Sequence, residues 1–184
     1  MYLAVVCALL LVSLSGILLF VTPLGRLLPA TPVAAGHVLL LGFCLVTVLV
    51  VGSPSAGARP WLVVGVIAAA VFGGAVVVRS GFALAARDSL AATTPVLPGS
   101  AWIGAAERFG IVVSLAMGIP EMAAVIVAIK ALGLYVEAAG AASKAHNTTA
   151  ASRVLGTLLS VCWTLFCVAV LYLAFGQLGF GREQ

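Results

Sequence analysis

Six long apolar stretches alternate with short polar connections along the 184-residue chain. Several of them approach or exceed the roughly 18 apolar residues that suggest a membrane-spanning helix. The pattern predicts an all-α integral membrane protein, a bundle of about six transmembrane helices in which residues 1–184 form a single transmembrane domain. The predicted helices are Tyr2–Val21, Val33–Val51, Trp61–Val78, Trp102–Gly118, Pro120–Ala138 and Val154–Phe175.

Two connections are long enough to carry structure of their own. The first part of Arg79–Ser100 reads SGFALAARDSL and is predicted to form a short amphipathic helix at the membrane interface. The connection Ala139–Arg153 is rich in small residues and is predicted to be a loop. Asn147 and Thr148 within it are predicted to cap the last helix, since these residue types commonly do so.

Composition narrows the class of protein further. Of the residues, 64% are hydrophobic and 8% charged, which is far from the balance of soluble domains. The net charge of +4 is scattered without a basic run, so nucleic acid is not a predicted partner. His37 and Cys44 share one face of the second helix, but metal sites need three or four ligands. No metal or cofactor is therefore predicted, and we interpret His37 as a hydrogen-bonded interfacial residue.

The charges concentrate in a helical hairpin, residues 102–138, which includes Glu107, Arg108, Glu121 and Lys130. Charges inside an apolar run are costly in a membrane and by default mark function or a specific ion pair. The turn at Gly118–Pro120 places Glu107 and Lys130 at one depth, roughly 16 Å from the turn at a rise of 1.5 Å per residue. We therefore predict a Glu107–Lys130 ion pair across the hairpin. Arg108 then needs another carboxylate, a carbonyl or a lipid headgroup; the alternative is that Glu107 and Arg108 lie shallow and snorkel.

Small residues recur every four positions on the third helix, at Gly65, Ala69 and Gly73. This spacing lines one helix face with small side chains and lets another helix approach closely. The simpler interpretation is that this face packs closely within the fold. The more specific alternative is that it contacts a partner protein.

The hairpin also carries a resemblance. The segments WIGAAERFGI, AAVIVAIKAL and VLGTLLSVCW resemble a family of uncharacterised bacterial polytopic membrane proteins with an IGxxER motif, an AxK motif on the next helix and a GTxxS motif on the last. The resemblance covers about the last 80 residues and departs from the family pattern after Lys130, where the chain reads GLYVEAAG. The matching residues are Ile103, Gly104, Glu107, Arg108, Ala128, Lys130, Gly156, Thr157 and Ser160.

The resemblance implies that the Glu–Arg–Lys cluster is important without naming its role. Gly156 and Thr157 are expected to let the last helix pack against the hairpin. Thr157 or Ser160 is then expected to donate hydrogen bonds to the charges.

Function is predicted by class rather than by reaction. Ser114, Ser160, His37 and the cysteines form no recognisable catalytic arrangement, so no enzyme is predicted. The small size and the packing stripe favour an accessory or scaffolding subunit of a larger membrane assembly, with lipid and either other membrane subunits or a second copy as partners. The alternative is a small-substrate or ion-coupled transporter that uses the Glu107, Arg108, Lys130 and Glu121 cluster.

Loop charges predict the orientation. The first, third and fifth connections contain five cations and the other side contains two, which places the first group in the cytoplasm. The expected location is the bacterial inner membrane, with both termini extracytoplasmic. The five cations are Arg26, Arg79, Arg87, Lys144 and Arg153, and the other two are Arg59 and Arg182.

Overall fold

The computed structural model describes residues 2–21, 30–52, 54–88, 98–139 and 144–176. Over these residues the chain forms six helices and no strand, so the predicted all-α class is confirmed. The helices are α1 (Tyr2–Val21), α2 (Ala30–Val51), α3 (Arg59–Ala68 and Gly74–Asp88, joined by the π-helical turn Ala69–Gly73), α4 (Pro98–Ala116), α5 (Pro120–Ala139) and α6 (Lys144–Phe175). Arg26 and Arg182, which contribute to the predicted orientation, lie outside the described residues.

Four of the described helices are long and apolar enough to cross a membrane. The stretches are Tyr2–Leu19, Thr31–Val51, Arg59–Leu84 and Val154–Phe175. Each reaches the roughly 18-residue length that the hydrocarbon core requires. Large apolar side chains such as Leu39 and Ile129 are exposed on the outer surface, where lipid solvates them. The chain is therefore an α-helical membrane protein.

Two predicted connections are helical where the structure describes them, mainly over residues 79–88 and 144–153. Helix α3 continues without a break to Asp88, so the prediction of a separate interfacial helix after Arg79 is wrong. Alanine and other helix-forming residues follow Arg79 and no proline interrupts them, which lets the third helix continue. Helix α6 begins at Lys144, so Asn147 and Thr148 lie inside it and the capping prediction is also wrong.

The turn between α4 and α5 has the geometry that the sequence predicts. Gly118 adopts a φ of +74°, a left-handed conformation that glycine tolerates best. The amide of Gly118 donates to the carbonyl of Leu115 at 3.1 Å, and the amide of Ile119 donates to the carbonyl of Ser114 at 2.9 Å. This pair of bonds is a Schellman motif, which satisfies the last carbonyls of α4. Pro120 then begins α5, where its missing amide hydrogen costs nothing.

Helices α3 and α6 occupy the centre of the bundle. Helix α3 contacts α1, α2, α4 and α6, and its buried face meets a core that includes Leu9, Val12 and Leu171. Helix α5 lies at the edge, where it packs against α4 and α6. The charged hairpin thus has one inner helix, α4, and one peripheral helix, α5.

Candidate functional site at the π-helical turn

The π-helical turn Ala69–Gly73 is the centre around which the buried polar groups collect. In such a turn the backbone hydrogen bonds span five residues instead of four, which leaves backbone groups open to other partners. π-Helical turns are frequent at functional sites. The carbonyl of Ala69 accepts a hydrogen bond from Trp163 Nε1 of α6 at 3.1 Å. The carbonyl of Val71 accepts two hydrogen bonds from Arg108 of α4. The turn therefore joins α3 to both neighbouring helices through main-chain oxygens.

Arg108 is the buried cation of this centre, with only 3% of its surface exposed. Its Nε and Nη2 donate to the carbonyl of Val71 at 3.0 and 2.7 Å, and its Nη1 donates to Ser160 Oγ at 3.3 Å. A carbonyl was among the predicted partners of Arg108, and the snorkelling alternative is wrong for this residue. The contact with Ser160 was also predicted, but in the opposite direction. A guanidinium has only donors, so the serine oxygen accepts the hydrogen bond.

Glycines make room for the Arg108 and Trp163 side chains. A Cβ added at Gly74 would lie 2.7 Å from Arg108 Cδ and 2.9 Å from Trp163 Cδ1. A Cβ at Gly73 would lie 2.9 Å from both Trp163 Cζ2 and Val12 Cγ1. Any larger residue at these two positions would displace the groups that hold the π-helical turn.

The predicted small-residue face of α3 packs inside the fold. Gly65, Ala69 and Gly73 are all buried. A Cβ at Gly65 would lie 3.2 Å from the Cβ of Leu9, so this face receives α1 at close range. The interpretation as close packing within the fold is confirmed.

Glu107 and Lys130 form the predicted ion pair across the hairpin. Their side chains are 22% and 25% exposed, respectively, so the pair lies half-buried between α4 and α5. The contact confirms that the two residues lie level across the hairpin, and the depth of Glu107 in the membrane stays a prediction. Glu121 lies instead in the exposed first turn of α5, nine residues before Lys130, and the structure does not bring it into the cluster.

The residues of the last predicted motif, on α6, contact two different parts of the fold. A Cβ at Gly156 would lie 2.6 Å from Phe82 Cζ of α3, so Gly156 packs against α3 rather than against the hairpin as predicted. Thr157 is half-buried on the same helix. Ser160 is buried and reaches the hairpin through Arg108.

His37 belongs to the same polar layer. It is 3% exposed, and its Nε2 lies 2.7 Å from Ser15 Oγ of α1. Its ring centroid lies 6.3 Å from that of Trp163, and its ring also lies against the backbone of Gly73 in the π-helical turn. The predicted hydrogen bond is confirmed, and His37 points into the bundle; its predicted position at the membrane interface stays a prediction. Among the described residues, no three histidine, cysteine or acidic side chains cluster in a way that could hold a metal ion.

Three contributors to this centre were not predicted from the sequence. A Cβ at Gly16 would lie 2.7 Å from the carbonyl carbon of Phe72, so α1 and the π-helical turn touch backbone to backbone there. Ser15 precedes Gly16, and Trp163 is the one tryptophan of the last helix. A small polar Ser-Gly pair inside an apolar helix and a tryptophan away from the helix ends are the signals that could have identified them.

The fold and the polar centre define an α-helical membrane protein whose buried charges bind within the bundle. Comparisons of the chain with protein-family models, with the curated proteins and with solved structures find no match. The resemblance based on the IGxxER, AxK and GTxxS motifs thus stays a prediction.

Proposed function

We propose that the chain is a non-enzymatic accessory or scaffolding subunit of a larger bacterial membrane assembly. The observation that carries this proposal is the way Arg108 is bound. Each of its three nitrogens donates a hydrogen bond within the fold, to a main-chain carbonyl of α3 or to a serine of α6. These hydrogen bonds tie α4 to two other helices, as a role in positioning the helices requires.

Buried charges bound in this way fix how helices align, which is the best attested role of buried polar groups. Arg108 sets the level of α4 against α3 and α6, and Trp163 sets the level of α6 against α3. The position of α5 then follows from the Schellman turn and from the Glu107–Lys130 pair. The polar centre thus stabilises a rigid scaffold with an apolar outer surface that can contact lipid or other membrane proteins.

A small-substrate or ion-coupled transporter is the second candidate, and one observation favours it. The Glu107–Lys130 pair keeps about a quarter of its side-chain surface accessible. Ionisable groups at membrane depth often form the pathway of a transporter. In this alternative α4 and α5 would have to move relative to each other.

The test of the accessory role is purification of the tagged chain in mild detergent. We expect other membrane proteins to copurify in fixed stoichiometry, since a subunit stabilised by its assembly keeps its partners. An untagged chain carried through the same steps is the control. Recovery of the chain without any other protein, together with substrate accumulation in reconstituted vesicles, would favour the transporter instead.

We place the protein in the inner membrane with six spans, of which α4 and α5 are the two charged ones, and with both termini extracytoplasmic. The cations between the apolar stretches support this orientation, because the cytoplasmic side of membrane proteins carries an excess of lysine and arginine near the ends of the spans. A reporter that is active only in the cytoplasm should stay silent when fused after Gln184 and should be active when inserted at residues 89–97. Activity of the C-terminal fusion would invert the orientation.

A further inference from the structure

The Glu107–Lys130 pair lies in an unusual position for charges at membrane depth. Such residues almost always face the interior of a bundle or a water-filled cavity. Here about a quarter of each side chain is accessible. The pair joins α4 to α5, which is the helix at the edge of the bundle. In a lipid environment this exposed part would meet acyl chains, which offer no hydrogen bonds.

Glycines leave the pair uncovered. Gly104 lies three residues before Glu107, and Gly133 lies three residues after Lys130, so each is a neighbour on the same helix face. A Cβ at Gly133 would have no atom within 4 Å, and one at Gly104 would meet only the Arg108 side chain of its own helix. We call the ion pair together with Gly104 and Gly133 the hairpin face.

The charges themselves indicate what covers this face. The pair is neutral and presents both signs at one depth, because both residues lie eleven to twelve residues from Ile119. Two copies inserted in the same orientation are related by a two-fold axis along the membrane normal, so each residue lies level with its own copy. Glu107 of one copy is then level with Lys130 of the other. A face with opposite charges at equal depth is complementary to itself.

An apolar groove of about 380 Å³ lies between α4, α5 and α6. It is lined by Ile111, one helical turn after Glu107, and by Val127, one turn before Lys130. Exposed side chains of α5 such as Ile129 and Leu132 have the size and chemistry to enter such a groove on another copy. Burial of apolar side chains drives association only weakly in lipid. The attraction between Glu107 of one copy and Lys130 of the other therefore has to supply the specificity.

We propose that two copies of this chain form a symmetric dimer through the hairpin face, with Glu107 of each copy facing Lys130 of the other. The dimer converts two half-exposed ion pairs into one four-charge network shielded from lipid. It rests on the six-span placement proposed above, and it does not depend on the choice between the two functions, because a scaffold or a transporter could be built on the same dimer.

The decisive experiment exchanges the two charges. In a chain carrying both Glu107→Lys and Lys130→Glu, the ion pair within each copy is kept with its polarity reversed. Two swapped copies remain complementary, as do two wild-type copies. A mixed dimer would set glutamate against glutamate and lysine against lysine, and such like-charge contacts are strongly unfavourable.

Wild-type and swapped chains with different tags are coexpressed and captured through one tag in mild detergent. We expect each chain alone to give a species of twice the 18.6 kDa of one copy, and mixed pairs to be at least about tenfold rarer than pairs of one kind. Mixed pairs as frequent as the others would overturn the proposal, and so would a monomer of the wild-type chain. Copurification of other proteins bears on the accessory role and leaves this comparison unchanged.

If the swapped chain does not accumulate, disulfide crosslinking in native membranes gives the same decision. Gly133→Cys is placed in a Cys7→Ser, Cys162→Ser background, which removes the two exposed native thiols. We expect a crosslinked dimer with Gly133→Cys and none with the control Leu39→Cys, which lies on the exposed face of α2. Failure of Gly133→Cys to crosslink, or equal crosslinking at Leu39→Cys, would overturn the proposal.

Discussion

Lys130→Met or Glu107→Gln alone should lower the free energy of unfolding by up to about 3–5 kcal/mol, the cost for a fully buried pair, whereas the double variant should cost far less. Each single change leaves the other charge between α4 and α5 without its partner, in surroundings that solvate it poorly. The double change removes both charges and the cost of desolvating them. The measurement is reversible unfolding in detergent, compared as a double-mutant cycle.

Glu121→Gln is the matched control for this cycle. It neutralises a carboxylate on the same helix, but Glu121 lies exposed in the first turn of α5, away from the pair. Its loss should cost less than about 1 kcal/mol, the contribution of a charge at a helix N-terminus. Additive effects of Glu107→Gln and Lys130→Met would contradict the ion pair.

The same double variant separates the two candidate functions. If it folds and still supports its assembly, the pair serves to align the hairpin, as a scaffold requires. If it folds but loses activity in vesicles, the charges belong to a transport pathway. The cycle therefore tests the energetics of the pair and the role of the pair in one set of proteins.

Gly16→Ala should destabilise the protein by about 1–3 kcal/mol or more, the usual cost of adding atoms to a filled core. The added Cβ would lie 2.7 Å from the carbonyl carbon of Phe72 and 2.9 Å from the amide nitrogen of Gly73. These are backbone atoms of the π-helical turn, so the clash cannot be relieved by a side-chain rotation. Thermal unfolding of the purified variant measures the loss.

Gly42→Ala provides the control for this change. Gly42 is also inside an apolar helix, but a Cβ there would have no atom within 4 Å. Alanine is favoured over glycine in a helix by about 0.5–1 kcal/mol, so Gly42→Ala should be neutral or slightly stabilising. Equal effects of the two substitutions would show that α1 does not touch the π-helical turn at Gly16.

Sequence alone determined the class of the protein and the positions of most helices. Hydrophobic length is a local property, and the membrane requires it wherever a helix crosses. The Gly118–Pro120 turn was equally local, since glycine and proline each impose one backbone conformation. Once that turn was placed, the fixed rise per residue put Glu107 and Lys130 level, which is why their ion pair could be predicted.

The ends of the helices were predicted less well, because they were placed where the hydropathy falls and not where the helix propensity falls. Residues 85–88 and 144–153 lie outside the apolar spans, yet their sequence continues the helices α3 and α6. The polar sequence therefore indicated where the apolar span stops and not where the helix stops.

Tertiary structure alone decided the polar centre. A π-helical turn has no distinct residue pattern, and it is this turn that offers the carbonyls of Ala69 and Val71 to Trp163 and Arg108. Which helices become neighbours, and how each rotates about its axis, depends on packing across the whole bundle. For this reason the sequence could place Arg108 at the right depth but could not choose its partner among carboxylate, carbonyl and headgroup. The same packing leaves no room for a side chain at Gly16 and Gly74, whereas Gly42 has space for one.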